Sequence, residues 1–114
     1  MAGAGVMAGR VARGEVRLVA FAKPDKSRPA LVLTRDTTIA YLNRVVVAPI
    51  TSTIRSVPSE VVLGPDDGMK GACAVNLHNV ICIDKRAIGR RIAELNDERM
   101  REVCVALGFA LGCQ

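Results

Sequence analysis

The sequence predicts a small, mainly antiparallel β-barrel with one short helix and a C-terminal helix. Three observations lead to this fold class. The chain has 114 residues, which is enough for one domain with one modest core. Short runs rich in Val, Ile and Leu, separated by turn residues, fill most of its length. Only the last segment changes to the spacing of an amphipathic helix.

The first half of the chain contains three predicted strands. Charged and apolar side chains alternate at the start of residues 15–21, as in a half-buried strand. Residues 29–34 form a continuous apolar run, which is typical of a strand buried on both faces. Residues 44–51 are again apolar and β-branched. The connections between these strands are predicted at residues 24–26 and 35–43.

The second half contains shorter elements. After a polar loop over residues 52–58, we expect a strand at residues 59–63 that ends in a Gly-Pro-Asp-Asp-Gly turn. Asp84 can cap a short helix through Ile88, which Gly89 would end. Three further strands are predicted at residues 72–75, 80–83 and 91–95.

The C-terminal helix has a start signal and a stop signal. Asn96 is a good N-cap residue, and Asp97 and Glu98 complement the positive end of the helix dipole. Gly112 is a plausible stop. The apolar stripe at helical spacing consists of Met100, Val103, Cys104, Leu107 and Leu111.

The N-terminal segment is rich in Ala and Gly and lacks the apolar stretch of a secretory signal. No apolar run approaches the roughly 20 residues of a membrane helix. We therefore expect a flexible tail over residues 1–13, one domain over residues 14–114, and a cytoplasmic protein in which disulfides do not form. The four cysteines show no zinc-site spacing, and those interpreted as small core residues are Cys73, Cys82 and Cys104.

The charge balance favours an anionic partner. The net charge is +5 and the sequence pI is about 9.4. Residues 1–70 contain ten Lys or Arg against six Asp or Glu, whereas the rest of the chain is nearly balanced. Nucleic acid is the first candidate for the partner, and a generic solvated surface is the alternative.

The residue types exclude several kinds of active site. There is no Gly-rich phosphate loop and no carboxylate cluster suited to magnesium. His78 is the only histidine, so a pair of histidines cannot share acid–base catalysis. The remaining arginines and hydroxyls suit RNA cleavage, because RNA carries its own nucleophile, the 2′-hydroxyl. Such an enzyme aligns that group, moves its proton and stabilises the phosphate charge, which arginine does without a metal.

Several segments, taken in order along the chain, resemble the MazF/PemK family of toxins. Together they cover roughly residues 14–112. The matching segments are Gly14-Glu15-Val16, Arg28-Pro29-Ala30-Leu31-Val32, the strand that ends in Ile50-Thr51-Ser52, Pro58-Ser59-Glu60-Val61, the polar stretch around His78 before Ile83-Asp84, and the closing helix from Met100 to Gly112.

The resemblance implies an SH3-like barrel of the CcdB/MazF type and a homodimer. It implies a toxin that cuts single-stranded RNA at short sequences without a metal or other cofactor, leaving a 2′,3′-cyclic phosphate and a 5′-hydroxyl. The RNA would be mRNA, tRNA or rRNA, and a MazE-like antitoxin would cover the RNA groove. The implied catalytic residues are Arg28, Thr51 and His78. The predicted RNA-binding residues are Lys26, Ser52, Thr53, Arg55, Asn76 and Asn79.

The sequence departs from the family pattern at three places. The loop over residues 22–27 is short, Arg17 stands where an aromatic residue is common, and His78 replaces the usual Asp or Glu. The resemblance therefore leaves open the target sequence and the route of the proton. Without the family, Arg28 would be interpreted as a surface ion-pair residue and Thr51 as a cap.

Two other functions compete with RNA cleavage. CcdB-like toxins use the same barrel to poison DNA gyrase, through large residues at the end of the last helix. This chain has no Trp, and its helix ends Phe109-Ala110-Leu111-Gly112. A catalytically silent RNA-binding module is the second alternative. Only 3% of the residues are aromatic, which disfavours it, because simple single-strand binders stack bases on aromatic rings.

Overall fold

The computed structural model describes residues 11–21 and 27–113. Seven strands and two α-helices make up most of this part of the chain. In chain order they are β1 (Glu15–Ala20), β2 (Ser27–Val32), α1 (Asp36–Ile39), β3 (Arg44–Thr51), β4 (Glu60–Leu63), β5 (Cys73–Asn76), β6 (Ile81–Asp84), β7 (Ile88–Glu94) and α2 (Asp97–Ala110). Short 3₁₀ turns lie at Pro65–Asp67, Leu77–Asn79 and Lys85–Ala87.

All strand pairs are antiparallel, and the order along the sheet is β4-β5-β3-β2-β1-β7. The predicted class, mainly β and antiparallel with a C-terminal helix, is confirmed. Strand β3 pairs with β2 on one side. On its other side it pairs with β6 along its first half and with β5 at its end. Within the described residues β4 and β7 do not pair, so the strands form an open path rather than a closed ring.

The sheet buries apolar side chains on both faces. The larger cluster lies under α2 and includes Leu31, Val75 and Val103, all fully buried. The smaller cluster includes Val47 and, from α1, Ile39. Burial on both faces explains why the sequences of β2 and β3 are nearly continuous apolar runs.

Helix α2 begins as predicted, because the Asn96 side-chain oxygen accepts a hydrogen bond from the Arg99 backbone N–H at 2.8 Å. Its buried residues are Val103 and Ala106. Cys104 and Leu111, which the sequence placed in the same stripe, are exposed. The interpretation of Cys82 as a core residue is likewise wrong, since it is also exposed, whereas Cys73 is buried.

The predicted short helix after Asp84 is present only as the 3₁₀ turn Lys85–Ala87, which the Asp84 carboxylate caps by accepting from the Arg86 N–H at 2.8 Å. Gly89 does not end it but lies inside β7. A Cβ on Gly89 would stand 3.1 Å from the Leu18 carbonyl oxygen, so close strand approach accounts for the glycine. Helix α1 was not predicted, since a single turn has almost no periodicity to detect.

The predicted tail and the first predicted turn fall largely on residues 1–10 and 22–26, which lie outside the described residues. Residues 11–13 of that tail pack on the domain. Val11 is buried, and the Arg13 backbone N–H donates to the Asp36 carboxylate at 2.7 Å. The domain boundary between residues 13 and 14 stays a prediction.

Candidate functional site

Arg28 and Thr51 lie level with each other on neighbouring strands. Ala30 of β2 faces Pro49 of β3, and each of the two site residues lies two positions beyond that pair, toward the same end of the sheet. Both side chains line one open cavity of about 810 Å³. Ser52, which follows Thr51, lines it as well. The structure therefore brings together two of the three predicted catalytic residues and one predicted RNA-binding residue; we call this cavity the groove.

The charged side chains that line the groove are all cationic. They are Arg28 on β2, Lys70 in the loop before β5, and Arg90 on β7, and all three residues are exposed. Within the described residues none of the three forms an ion pair, and none of the groove-lining residues carries a carboxylate. The groove is therefore a local excess of positive charge that is ready to bind an anion.

The floor of the groove is apolar. Its members are Pro29, Ile50, Met69, Cys73 and Ile92. The thiol of Cys73 is buried there, and its pKa is raised, first because burial disfavours the thiolate and second because Asp67 repels it. The Cys73 side chain therefore acts as a neutral part of the floor.

One wall of the groove is fixed to α2 by an ion pair. The Asp67 carboxylate accepts from Arg99 Nε at 2.9 Å and from Arg99 Nη2 at 3.2 Å, and also from the Gly64 backbone N–H at 3.0 Å. The hydrogen bond from Arg99 is the main reason that the pKa of Asp67 is lowered. Gly68, with φ of 89°, then turns the chain so that Met69 and Lys70 reach the groove.

The loop after Thr51 is held by a buried carboxylate. One oxygen of Glu60 accepts from the backbone N–H groups of Arg55 and Ser56, both at 3.0 Å. These bonds hold Ser56 at φ of 58°, in the left-handed region that a serine rarely adopts. Within the described residues the other Glu60 oxygen is buried without a partner. The Thr51 hydroxyl accepts from the Thr53 N–H at 3.1 Å, so the loop also orients the site residue.

His78 lies away from the groove. Thr51 faces Ala74 of β5, and His78 comes four residues later, beyond the other end of that strand, roughly 10 Å along the chain. Its ring Nδ1 is 2.5 Å from the hydroxyl oxygen of Ser59, and its side chain is exposed. Within one chain the structure does not bring His78 to Arg28 and Thr51.

The remaining predicted RNA-binding residues are scattered. Asn76 is buried, and its amide oxygen accepts from the His78 N–H, so it caps the 3₁₀ turn and a contact with RNA does not fit its burial. Asn79 is exposed in the same turn, and Thr53 and Arg55 are exposed in the loop after β3. Lys26 lies outside the described residues.

Sequence reasoning missed the opposite side of the groove. Lys70, Arg90 and Met69 are far from Arg28 in sequence and carry no motif. The available signals were weak: a lysine between two glycines in residues 68–71, and the Arg90-Arg91 pair on a short strand. Among the described residues, no three His, Cys, Asp or Glu side chains come together as a metal site would require. No helix of the described part is long and apolar enough to cross a membrane.

The fold agrees with the comparisons to known proteins. The family described as PemK-like, MazF-like toxins of type II toxin–antitoxin systems matches residues 12–111, and the chain belongs to this family. A probable endoribonuclease MazF5 of Mycobacterium tuberculosis is 44% identical over 103 residues, which is 90% of this chain and 94% of that protein. A probable endoribonuclease MazF2 of the same species is 36% identical over 102 residues, 89% of this chain and 98% of the relative.

Solved structures are similar over almost the whole chain. The M. tuberculosis toxin MazF-mt6 superimposes with a TM-score of 0.80 at 30% identity, covering 88% of this chain and 98% of that one. A mycobacterial endoribonuclease in complex with its cognate antitoxin gives a TM-score of 0.82 at 27% identity, covering 91% and 97%. These relatives are MazF-type proteins, so the CcdB-like alternative is not favoured.

Proposed function

We propose that this protein is the toxin of a type II toxin–antitoxin system and cuts single-stranded RNA at specific sequences. The reaction is metal-independent and leaves a 2′,3′-cyclic phosphate and a 5′-hydroxyl. The observation that carries the proposal is the meeting of Arg28 and Thr51 in one groove, where the charged side chains among the described lining residues are all cations. The endoribonuclease names of the relatives support the same reaction.

Arg28 stabilises the charge that develops on the scissile phosphate. Pro29 restricts the residue before it to an extended conformation, so β2 holds the Arg28 backbone in place. Because no carboxylate of the described residues pairs with it, the guanidinium can give two parallel hydrogen bonds to non-bridging phosphate oxygens. Attack of the 2′-oxygen on phosphorus adds charge to these oxygens, so the bonds strengthen as the reaction proceeds.

Thr51 donates its hydroxyl proton to the same phosphate. Its oxygen already accepts from the Thr53 N–H, which points the proton away from the loop. The P–O5′ bond breaks as the new bond to the 2′-oxygen forms, the departing O5′ takes a proton from solvent, and the proton of the 2′-hydroxyl is lost. His78 was predicted either to take that proton or to position Arg28 by accepting its hydrogen bond. Because His78 does not line the groove of its own chain, we propose that solvent takes the proton of the 2′-hydroxyl. The role of His78 stays a hypothesis.

Three partners belong to the proposal: single-stranded RNA in the cytoplasm, a second copy of the chain, and a MazE-like antitoxin. The exposed apolar side chains of Val62 on β4 and of Phe109 on α2 support a dimer, because such a surface favours burial against another protein. An acidic antitoxin segment would bind in the groove because, like RNA, it is negatively charged and the described charged side chains of the groove are cationic. Light scattering measures the dimer, and competition between the antitoxin and labelled RNA tests the shared surface.

The function is tested by cleavage of a long single-stranded RNA in the presence of EDTA. We expect cleavage at a small set of sequences, products that end in a cyclic phosphate, and no cleavage where the sugar at the cut site is 2′-deoxy or 2′-O-methyl. Activity that disappears in EDTA and returns with magnesium would refute the mechanism. Cleavage of the 2′-deoxy substrate would refute the role of the 2′-hydroxyl.

A further inference from the structure

The apolar floor of the groove has no part in phosphate chemistry. Arg28 and Thr51 suffice to hold a phosphate, because a phosphate is charged and binds to polar groups, not to apolar side chains. Behind them, however, the groove continues over Ile50, Met69 and Ile92. Apolar and polarisable side chains of this kind bind the flat face of a ring, and a nucleobase has such a face whatever its sequence.

The space above this floor has room for a base beside the scissile phosphate. The cavity of about 810 Å³ lies within the size range of small-ligand sites. Part of the lining is the short segment from Gly68 to Gly71, and the ion pair between Asp67 and Arg99 holds its start. A Cβ built on Gly71 would meet no atom within 4 Å, so the glycine leaves this side open to a ring.

Among the described residues, the charged side chains at the rim of the groove are hydrogen-bond donors. The ammonium of Lys70 and the guanidinium of Arg90 line it, and neither forms an ion pair within the described residues. Among the described lining residues there is no side-chain carboxylate or amide to accept from an exocyclic amino group. Lys and Arg only donate, so they match keto oxygens, as in their contacts with O6 and N7 of guanine. An amino group needs an acceptor, and among the described lining side chains the oxygen acceptors are limited to the hydroxyls of Thr51 and Ser52.

We propose that the groove holds one nucleobase next to the scissile phosphate, stacked on Met69 and Ile92, and that Lys70 and Arg90 select a base with a keto oxygen where cytosine and adenine carry an amino group. The base is thus uracil or guanine. The proposal rests on the proposed function, because it is the cut RNA that supplies the base. It assigns a specificity role to two residues that no motif identifies.

The experiment uses RNA that cannot be cut, so binding is measured apart from cleavage. The two probes are fully 2′-O-methylated oligouridylate and oligocytidylate of equal length. Uracil carries a keto oxygen at C4 and a proton on N3, whereas cytosine carries an amino group at C4 and no proton on N3. Fluorescence anisotropy at one fixed salt concentration gives the Kd of each for the full chain. We expect uridylate to bind at least about fivefold more tightly, as expected for one well-placed base contact.

Variants tie this preference to the groove. Lys70→Met removes a donor from an exposed position, and Arg90→Gln replaces a charged group that only donates by a neutral amide that can donate and accept. We expect each variant to bring the two Kd values closer together. Arg44→Gln is the matched control. Arg44 is also an exposed cation on the sheet, but it lies seven residues from Thr51 at the other end of β3, roughly 23 Å away. It should weaken both oligonucleotides equally and keep the preference.

The outcomes separate this inference from the proposed function. Equal Kd values for the two oligonucleotides with the unmodified protein would overturn the inference, even if RNA is cleaved. A uridylate preference that survives in both groove variants would overturn the assignment to Lys70 and Arg90. A preference that is lost in those variants but kept in Arg44→Gln supports the inference, and it would do so even if the protein proved unable to cleave.

Discussion

Two sets of arginines in this small protein have opposite surroundings. Arg17 on β1 is buried, donates to Glu15 at 2.7 Å and to the Gly89 carbonyl at 2.8 Å, and so joins β1 to β7. Arg99 on α2 is bound to Asp67 in the same way. Arg28 and Arg90, in contrast, are exposed and form no ion pair within the described residues.

The difference shows where the protein uses charge for structure and where it keeps charge for a ligand. A buried pair costs much free energy to desolvate and offers little to a partner, but removing one member leaves an uncompensated charge. An unpaired surface cation contributes little to folding, and its field acts on whatever anion approaches. Three cations and no carboxylate lie among the described lining residues of the groove, so part of the net charge of +5 is concentrated there.

The largest expected effect is that of Arg28→Ala on cleavage. Loss of the guanidinium removes the stabilisation of the transition-state charge, and we expect single-turnover cleavage to fall by about a thousandfold. Arg28→Lys should recover little, because an ammonium cannot give two parallel hydrogen bonds. The free energy of unfolding in urea should stay within about 0.5 kcal/mol of the original. Full activity of Arg28→Ala would place the chemistry elsewhere.

Glu15→Ala should lower the free energy of unfolding and leave the cleavage chemistry unchanged, which is the opposite of Arg28→Ala. It leaves Arg17 charged and buried with only the Gly89 carbonyl, so the free energy of unfolding should fall by about 3 kcal/mol. The double variant Glu15→Leu with Arg17→Met removes both charges and should regain most of that loss. Urea denaturation measures both. If the double variant is as unstable as the single one, the loss comes from packing and not from charge.

Asp67→Asn should have a smaller effect that depends on pH. The pKa of Asp67 is lowered below its ordinary value of 3.8, chiefly by the hydrogen bond from Arg99. Because the pKa is lowered in the folded state, ionised Asp67 stabilises the fold at pH values above 3.8. This stabilisation is lost as the pH falls through the folded-state pKa of Asp67. We expect Asp67→Asn to lose about 1.5 kcal/mol at neutral pH. The difference from the original protein should shrink below pH 4 in urea denaturation; a constant difference at all pH values would contradict the ion pair.

The smallest expected effect is that of His78→Ala. Because His78 lies beyond the far end of β5 and is bonded to Ser59, we expect cleavage to change by no more than about twofold, with the same dependence on pH. Ser59→Ala is the matched control for the loss of that hydrogen bond. A large loss of rate in His78→Ala together with a changed pH profile, but not in Ser59→Ala, would restore the role predicted from the sequence.

Much of the fold could be predicted because its signals are local. The run from Arg44 to Thr51 is rich in β-branched residues, and Asn96 caps α2 as its side chain predicts. Helix α1 and the 3₁₀ turn Lys85–Ala87 are too short for their periodicity to be detected. The charged start of β1 was misleading, since alternation suggests a solvent face, whereas Glu15 and Arg17 neutralise each other inside the protein.

The sequence by itself determined which strands exist and which helix closes the chain. The catalytic roles of Arg28 and Thr51 are predictions that the resemblance to the family implies. Only the tertiary structure decided which side chains share the groove. Lys70 and Arg90 reach it because antiparallel pairing brings β7 and the loop before β5 to the same end of the sheet, over long distances in sequence. The sequence predicted His78 and Asn76 as site residues. In the structure Asn76 ends β5 and His78 follows it, at the end of this strand that points away from the groove. Strand register is fixed by which side chains can be buried together across the whole sheet, and no local pattern of residues contains that information.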